Sequence, residues 1–360
     1  MTAINAFPDR PRIGILGGGQ LGRMLAIAAA QLGLQTHIFA PDAETSPAGQ
    51  VAAVTTTADY DDVAALSRFA ASVDAVTSEF ENVPATTMEV IGATCLASPG
   101  VKALRVAQHR IAEKSLAAEL GIPTPRFWQV RNRDELTAAM TALGGPAILK
   151  TCRLGYDGKG QRRVTPGDDL AAAFAELNSD DVILEEMIAF DSEISALLAR
   201  DADGAICHFP VTRNLHRNGI LATSLAPAPL AGKLATQAQT AAASLADAVN
   251  LVGLLAVEFF IDAEGGLLFN EMAPRPHNSF HWTIEGCATS QFTQLARVLA
   301  GMGFGATTSY GSWQMENLLG QDMGRVPSLL ASDGVHLHLY GKPEARTDRK
   351  MGHVTSRLGD

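Results

Sequence analysis

Short apolar runs alternate with helically spaced apolar positions through the first hundred residues. Arg12-Ile-Gly-Ile-Leu-Gly17 reads as a buried strand. Leu21, Leu25, Ala28, Ala29 and Leu32 then recur at helical spacing, with a stop near Gly33. Thr36–Ala40 reads as a second strand, Asp61–Ala71 as a helix and Asp74–Thr77 as a strand. This βαβ rhythm predicts a parallel sheet with helices on both faces. A second region begins near Val101. Residues 103–120 carry a helical pattern, and Gly121-Ile-Pro-Thr-Pro125 breaks the chain. Strand-like pieces follow at 147–151, 161–164, 182–186, 192–200 and 205–213, with a glycine-rich loop from Cys152 to Gly160. Gly232–Leu251 is an alanine-rich helix, Leu254–Met272 a β-hairpin and 288–300 a helix. A smaller tail region contains the alternating strand Val335–Tyr340. There is no internal repeat.

Composition narrows the class. A chain of 360 residues suggests two or three domains with an ample core. Acidic residues number 38 and basic residues 28, a formal charge of −10. That argues against a nucleic-acid surface, but not against small phosphorylated ligands, which need only a few local cations. No apolar run approaches the ~18 residues of a membrane span, and Met1–Arg12 has no apolar core of a secretory leader. The four cysteines are scattered without a C-x-x-C pair, so neither a zinc framework nor disulfides are expected. The expectation is a soluble, cytoplasmic, multidomain protein without membrane or nucleic-acid partners.

Gly17-Gly-Gly-Gln-Leu-Gly22 satisfies G-x-G-x-x-G between a strand and a helix, and Asp42 lies about 20 residues on. Locally this is a dinucleotide fingerprint, with a pyrophosphate on the helix N-terminus and the acid on a ribose. The glycines equally serve a tight strand-to-helix turn.

The hairpin carries a different signal. If Asp262 pairs with Leu267 across the Ala263-Glu-Gly-Gly266 turn, Glu258 lies opposite Glu271. Like charges in cross-strand register, in otherwise apolar strands, are unfavourable. A divalent cation removes that cost, and Asn270 adds a neutral oxygen beside Glu271. A one-residue slip, or a solvent-facing glutamate, would remove the need for one. The next stretch, Ala273–Trp282, is irregular and polar, and presents Arg275, His277, Asn278, Ser279 and His281.

Lys150 ends an apolar strand, where an ammonium can neutralise phosphates or simply face solvent. The loop Gly155-Tyr-Asp-Gly-Lys-Gly-Gln161 lets backbone N–H groups approach a polyphosphate. Val182-Ile-Leu-Glu-Glu-Met187 offers backbone groups for a base, and Glu193 a carboxylate for ribose hydroxyls. His336 and His338, Cys152, Phe127 and Trp128 read as surface or packing residues.

In combination these segments resemble the ATP-grasp superfamily: a strand lysine, a glycine-rich lid loop, an apolar strand ending in acids and a Glu…Asn-Glu hairpin. Within it the chain resembles the N5-carboxyaminoimidazole ribonucleotide synthetase family, biotin-independent ATP-dependent enzymes of purine biosynthesis. The matching segments run almost end to end. They are Gly18–Met24, Ser78–Val83, Gly155–Gln161, Asn214–Ile220, Asn270–Ser279, Met315–Gly320 and Arg349–His353. In that family the glycine-rich start does not hold NAD.

The resemblance implies an N-terminal βαβ domain at 1–102, an ATP-grasp region at 103–302 with a mobile lid at about 123–187, and a small C-terminal domain at 303–360. ATP would be held by Arg110, Lys150, Gly155, Tyr156, Asp157, Gly158, Lys159, Gly160, Gln161, Glu185, Glu186, Met187, Ile188, Glu193, His216, Asn270 and Glu271. Glu258 and Glu271 would hold Mg²⁺, with Mn²⁺ as a substitute. The ribonucleotide would meet Tyr156, Lys159, Arg275, His277 and Lys350, with Glu79 or Glu81. Lys159 keeps the charge, but not the fork, of the arginine found there in some relatives. Asp157, Arg275 and Lys350 would be catalytic. Bicarbonate would attack the γ-phosphate, and the resulting carboxyphosphate, or CO₂ from it, would be captured by the amine of 5-aminoimidazole ribonucleotide. A homodimer, and a separate mutase that takes the product, are implied as partners. Another ATP-grasp ligase, an NAD(P)-dependent oxidoreductase and a non-catalytic nucleotide-binding regulator are the alternatives.

Overall fold

Residues 11–155, 160–230 and 232–359 are described here from a computed structural model. The first sheet has five parallel strands in the order Val54–Thr57, Gln35–Ala40, Arg12–Leu16, Ala75–Ser78, Leu96–Ser98. Alternate residues of its strands enter different cores. Ile13, Ile15 and Ile38 pack with Met24, Leu25 and Ala28 of the helix Gln20–Gln31. Leu16, Phe39 and Val76 pack with Leu66, Phe69, Met88 and Ile91 on the opposite face. Burial on both faces is why the central strand Arg12–Leu16 reads as an apolar run, whereas the edge strand Val54–Thr57 is polar and partly exposed.

The largest sheet has nine strands. Its main path runs Leu267–Ala273, Gly253–Asp262, Phe190–Arg200, Thr212–Arg217, Ile220–Ala226, Trp313–Leu319, Lys350–Arg357, Val335–Leu339, and Ile206–His208 pairs with Phe190–Arg200. All these pairings are antiparallel. Ile194, Ala196, Leu198, Leu255 and Val257 pack with the helix Gly232–Ala248. Leu197, Ala199, Leu254 and Ala256 share a core with the helices Gln291–Leu299 and Gln20–Gln31. That shared core fixes the first sheet against the hairpin. A third sheet, in the order Phe127–Val130, Val182–Glu186, Ala147–Thr151, Gln161–Val164, has its own core and carries Lys150.

Several elements differ from the sequence pattern. Residues 103–120 form two helices, Val101–Ala107 and Arg110–Glu119, rather than one. At the break His109 is extended (φ −141°), and the Gln108 amide donates to the carbonyls of Glu81 and Val83 at 2.7 and 2.6 Å. The expected strand 205–213 divides into Ile206–His208 and Thr212–Arg217 around Phe209-Pro210. Phe127 and Trp128 belong to a strand, and an unanticipated helix, Arg133–Leu143, follows. Its start is set by Asn132, whose Oδ1 accepts the Glu135 N–H at 2.9 Å while its amide donates to the Glu135 carboxylate. Among the described residues, no helix is long and apolar enough to cross a membrane.

The glycine-rich turn has an internal occupant. Glu79 follows the strand Ala75–Ser78, and its carboxylate accepts the N–H groups of Gly19 and, at 2.7 Å, Gly22. Gly17 sits at φ +108°, and a Cβ there would lie 2.5 Å from Glu79 Cγ. The helix terminus that could bind a pyrophosphate is filled by the protein's own carboxyl group. Asp42 stands exposed in a turn. Glu79→Ala should lower stability by about 1–3 kcal/mol, because it strands two helix N–H groups. Glu79→Gln should lose less. Urea unfolding checks both, and an unchanged midpoint in the alanine variant would refute the capping role.

Candidate active site

The hairpin Gly253–Asp262/Leu267–Ala273 places Glu258 opposite Glu271. The register near the turn is offset by one from the simple count: Ile261, not Asp262, pairs with Leu267. A β-bulge between Glu258 and Phe259 restores the pairing, with Asn270 as the extra residue. The bulge turns Asn270 and Glu271, although adjacent, toward one cleft.

The two carboxylates have unequal surroundings. Arg110 donates to Glu271 at 3.0 Å and to the Gly155 carbonyl at 3.2 Å. Burial pushes the Glu271 carboxyl up, but Arg110, then Lys150, outweigh it and hold it below its ordinary range. Among the described residues, Glu258 meets the Ser195 hydroxyl at 3.3 Å and His277 Nε2 at 3.8 Å. Burial, then the facing Glu271, push its carboxyl up to about 7. His277 is pushed down to about 3 by burial and by Arg275 and Lys350, so its imidazole is neutral at ordinary pH.

Behind the pair lies a buried charge layer. Lys150 donates to Glu185 at 2.8 Å, and Lys114 lies 3.6 Å from the same oxygen while donating to the Asn270 carbonyl at 3.2 Å. Glu113 accepts the Met272 N–H at 3.1 Å, and burial, then Glu271, raise its carboxyl to about 8. In front, Arg275 forks onto Glu81, with Nη2 to Oε1 at 3.1 Å and Nε to Oε2. Burial would raise the Glu81 carboxyl, but the Arg275 guanidinium outweighs it and holds it down to about 2.

Two clefts meet at this centre. One, of about 380 Å³, is lined by Glu79, Glu81, Gly155 and Arg275 among others. The other, of about 280 Å³, is lined by Lys150, Gln161, Glu193, His216, Glu258 and Asn270 among others. Arg110, Glu271, His277, Asn278 and Lys350 line both. Glu193 pairs with His216 Nδ1.

Glu185, Glu186, Met187 and Ile188 line neither cleft. Glu185 is the buried counter-ion just described, Glu186 forks onto Arg126 at 2.9 and 3.0 Å, and the Met187 N–H donates to the Pro146 carbonyl. Gly160 ends its loop at φ +67°. Tyr156, Asp157, Gly158 and Lys159 lie outside the described residues.

Sequence reasoning missed Glu113, Lys114, Ser195 and Asn214. Asn214 donates to Ser195 Oγ at 2.6 Å and accepts from Ser224 at 2.9 Å. This strand turns back through Asn218-Gly219, both at positive φ, a hairpin signal present in the sequence.

The comparisons agree along the chain. Models of a ribonucleotide synthetase preATP-grasp domain, an ATP-grasp domain and a phosphoribosylaminoimidazole carboxylase C-terminal domain match residues 11–108, 115–292 and 314–358. The N5-carboxyaminoimidazole ribonucleotide synthase of Brucella melitensis is 48% identical over 345 residues, 95% of each chain. The Thermus thermophilus synthetase structure is 42% identical, with a TM-score of 0.89 over 96% of this chain and 93% of that one. An Aspergillus clavatus synthase, solved with ADP and 5-aminoimidazole ribonucleotide, is 28% identical, with a TM-score of 0.90 over 97% and 94% of the two chains.

Burial alone would raise Glu185, but Lys114 and Lys150 hold it down to about 2, below its ordinary 4.5. Its stabilising effect is therefore complete above about 4.5 and is lost as pH falls through about 2. Glu185→Gln should flatten the loss of stability across that window. At neutral pH it should cost ~3–5 kcal/mol, because two buried lysines lose their counter-ion. Denaturant midpoints over a pH series test both, and parallel curves for the two proteins would refute the assignment.

Proposed function

The chain belongs to the N5-carboxyaminoimidazole ribonucleotide synthases, ATP-grasp ligases of purine biosynthesis, and we propose on that premise that it uses ATP to join bicarbonate to 5-aminoimidazole ribonucleotide. The observation that carries this reading is the wall of Arg110, Glu271, His277 and Lys350 shared by two clefts. ATP occupies the cleft of Lys150, Gln161, Glu193 and His216. The ribonucleotide occupies the cleft of Glu81, Arg275 and Lys350. The γ-phosphate and the acceptor amine then meet at the wall. Glu79 is assigned to the helix turn, and Glu81 to the substrate side.

The residues fit a divalent cation: two carboxylates face each other across the strand pair, and one of them is pushed to about 7 by its burial and its neighbour. Glu258 and Glu271 would hold Mg²⁺ or Mn²⁺, with the Asn270 oxygen beside them. Such an ion, when bound, offsets charge on phosphate oxygens.

In the first step a bicarbonate oxygen bonds to the γ-phosphorus, the bond to the ADP oxygen breaks, and carboxyphosphate and ADP form. In the second step the amine nitrogen bonds to the carboxyl carbon, phosphate leaves, and the amine proton passes to Asp157. The chain contributes positioning and charge more than covalent chemistry. Lys150 has three N–H donors, so donors beyond its Glu185 bond serve phosphate oxygens. Arg275, oriented by Glu81 and the Pro276 carbonyl, offers its two remaining N–H groups to the bicarbonate carboxylate. Neutral His277 accepts or donates one hydrogen bond without adding charge. We also propose the three-part division at 1–102, 103–302 and 303–360, a cytoplasmic homodimer, and transfer of the product to a separate mutase.

Glu271→Gln should lower bicarbonate- and ribonucleotide-dependent ADP release by at least about 10²-fold, with an unfolding transition that remains cooperative. Near-parental turnover in a folded variant would sink the reading. Omitting bicarbonate or the ribonucleotide should independently abolish the coupled signal in the parent.

A further inference from the structure

His109, Cys152 and Asp181 converge from three separate elements. His109 occupies the break before the helix Arg110–Glu119, Cys152 follows the strand Ala147–Thr151, and Asp181 precedes the strand Val182–Glu186. One donor atom of each lies within 4.8 Å of the others, and His109 Nε2 is 2.9 Å from Asp181 Oδ2. Main-chain bonds lock the arrangement. The Arg110 N–H donates to the Cys152 carbonyl at 3.0 Å, and the Cys152 N–H donates to the Asp181 carbonyl at 3.0 Å. Gln129 donates to Asp181 Oδ1 at 3.1 Å and so orients the carboxylate. Cys152 is buried, whereas the His109 and Asp181 side chains are 17% and 36% exposed, which leaves an entry for an ion.

We propose that these three side chains form a binding site for a zinc-type divalent ion, with one coordination position left open. Nitrogen, sulfur and oxygen ligands at about 2.0–2.3 Å in a tetrahedron stand about 3.2–3.8 Å apart. The side chains therefore need to move by only tenths of an ångström to some 1 Å. Coordination converts the Cys152 thiol to a thiolate, and its proton passes to solvent. Without an ion, burial and then Asp181 push this thiol up to about 12, so it is no ready nucleophile.

The site is chemically distinct from the paired glutamates. An oxygen-only set suits a hard ion, whereas thiolate and imidazole select a softer one. The position gives the ion a consequence. His109 adjoins Arg110, which holds Glu271, and Cys152 lies two residues beyond Lys150. A bound ion ties the helix break to the sheet that carries Lys150.

Titration of the full chain with Co²⁺, followed by competition with Zn²⁺, tests this. One equivalent of Co²⁺ should give a thiolate-to-metal charge-transfer band, and Zn²⁺ should displace it. Cys152→Ser should abolish the band. Asp181→Asn, at a half-exposed position, should weaken binding at least tenfold. Glu271→Gln should keep the band, so this outcome does not depend on the catalytic reading. No band, a band that survives Cys152→Ser, or unchanged affinity in Asp181→Asn would overturn the proposal.

Discussion

Glu258 and Glu271 stand across one strand pair, and the site is arranged around the cost of that juxtaposition. Two carboxylates in register repel, and burial amplifies the effect. The protein answers asymmetrically. Glu271 receives a guanidinium, whereas Glu258 receives a hydroxyl and a neutral imidazole. One acid is held ionised and the other is poised near neutrality. Each half of this solution needs an irregularity. Arg110 reaches Glu271 because the helix breaks at Gln108-His109, and Asn270 joins the pair because the strand bulges. The hydroxyl on Glu258 is itself held by the chain Ser224, Asn214, Ser195, buried within the sheet.

An acidic chain that binds anions is no contradiction at this scale. The net charge of −10 is spread over the surface, where it is screened, whereas the site cations sit in a low-dielectric interior. Among the described residues, Arg110, Lys150 and Arg275 each have an acid partner in Glu271, Glu185 and Glu81. Pairing limits the cost of burying each cation and fixes its direction. What remains for a ligand is oriented donor capacity rather than a diffuse positive patch.

Much of the site was legible because its spacing is local. Glu258 and Glu271 belong to one hairpin, and their opposition follows from counting residues through the turn. The count reached the right pair from a turn one residue off, because a bulge compensates the offset; alternation alone carries no sign of a bulge. Lys114 and Glu113 were not legible for a different reason. On a helix they read as solvated charges, and only the packing of that helix beneath the hairpin buries them. The helix Arg133–Leu143 and the Asn218-Gly219 turn carried their signals openly, in a capping pair and a two-residue hairpin turn. The division of 103–120 was hidden, since it is imposed by Gln108 reaching carbonyls in a distant loop.

The glycine-rich turn shows where local reading ends. A G-x-G-x-x-G turn specifies a backbone shape and a row of N–H groups that want an anion. It does not specify which anion. In this chain the requirement is met by Glu79, about 60 residues away in sequence but just past the end of the neighbouring parallel strand. Any parallel sheet sets the end of the adjacent strand beside the first helix N-terminus. A carboxylate at that position competes directly with a pyrophosphate for the same donors. The motif and its occupant must therefore be read as a pair, and the acid one strand over is the residue that decides whether the turn is a ligand site or a structural joint.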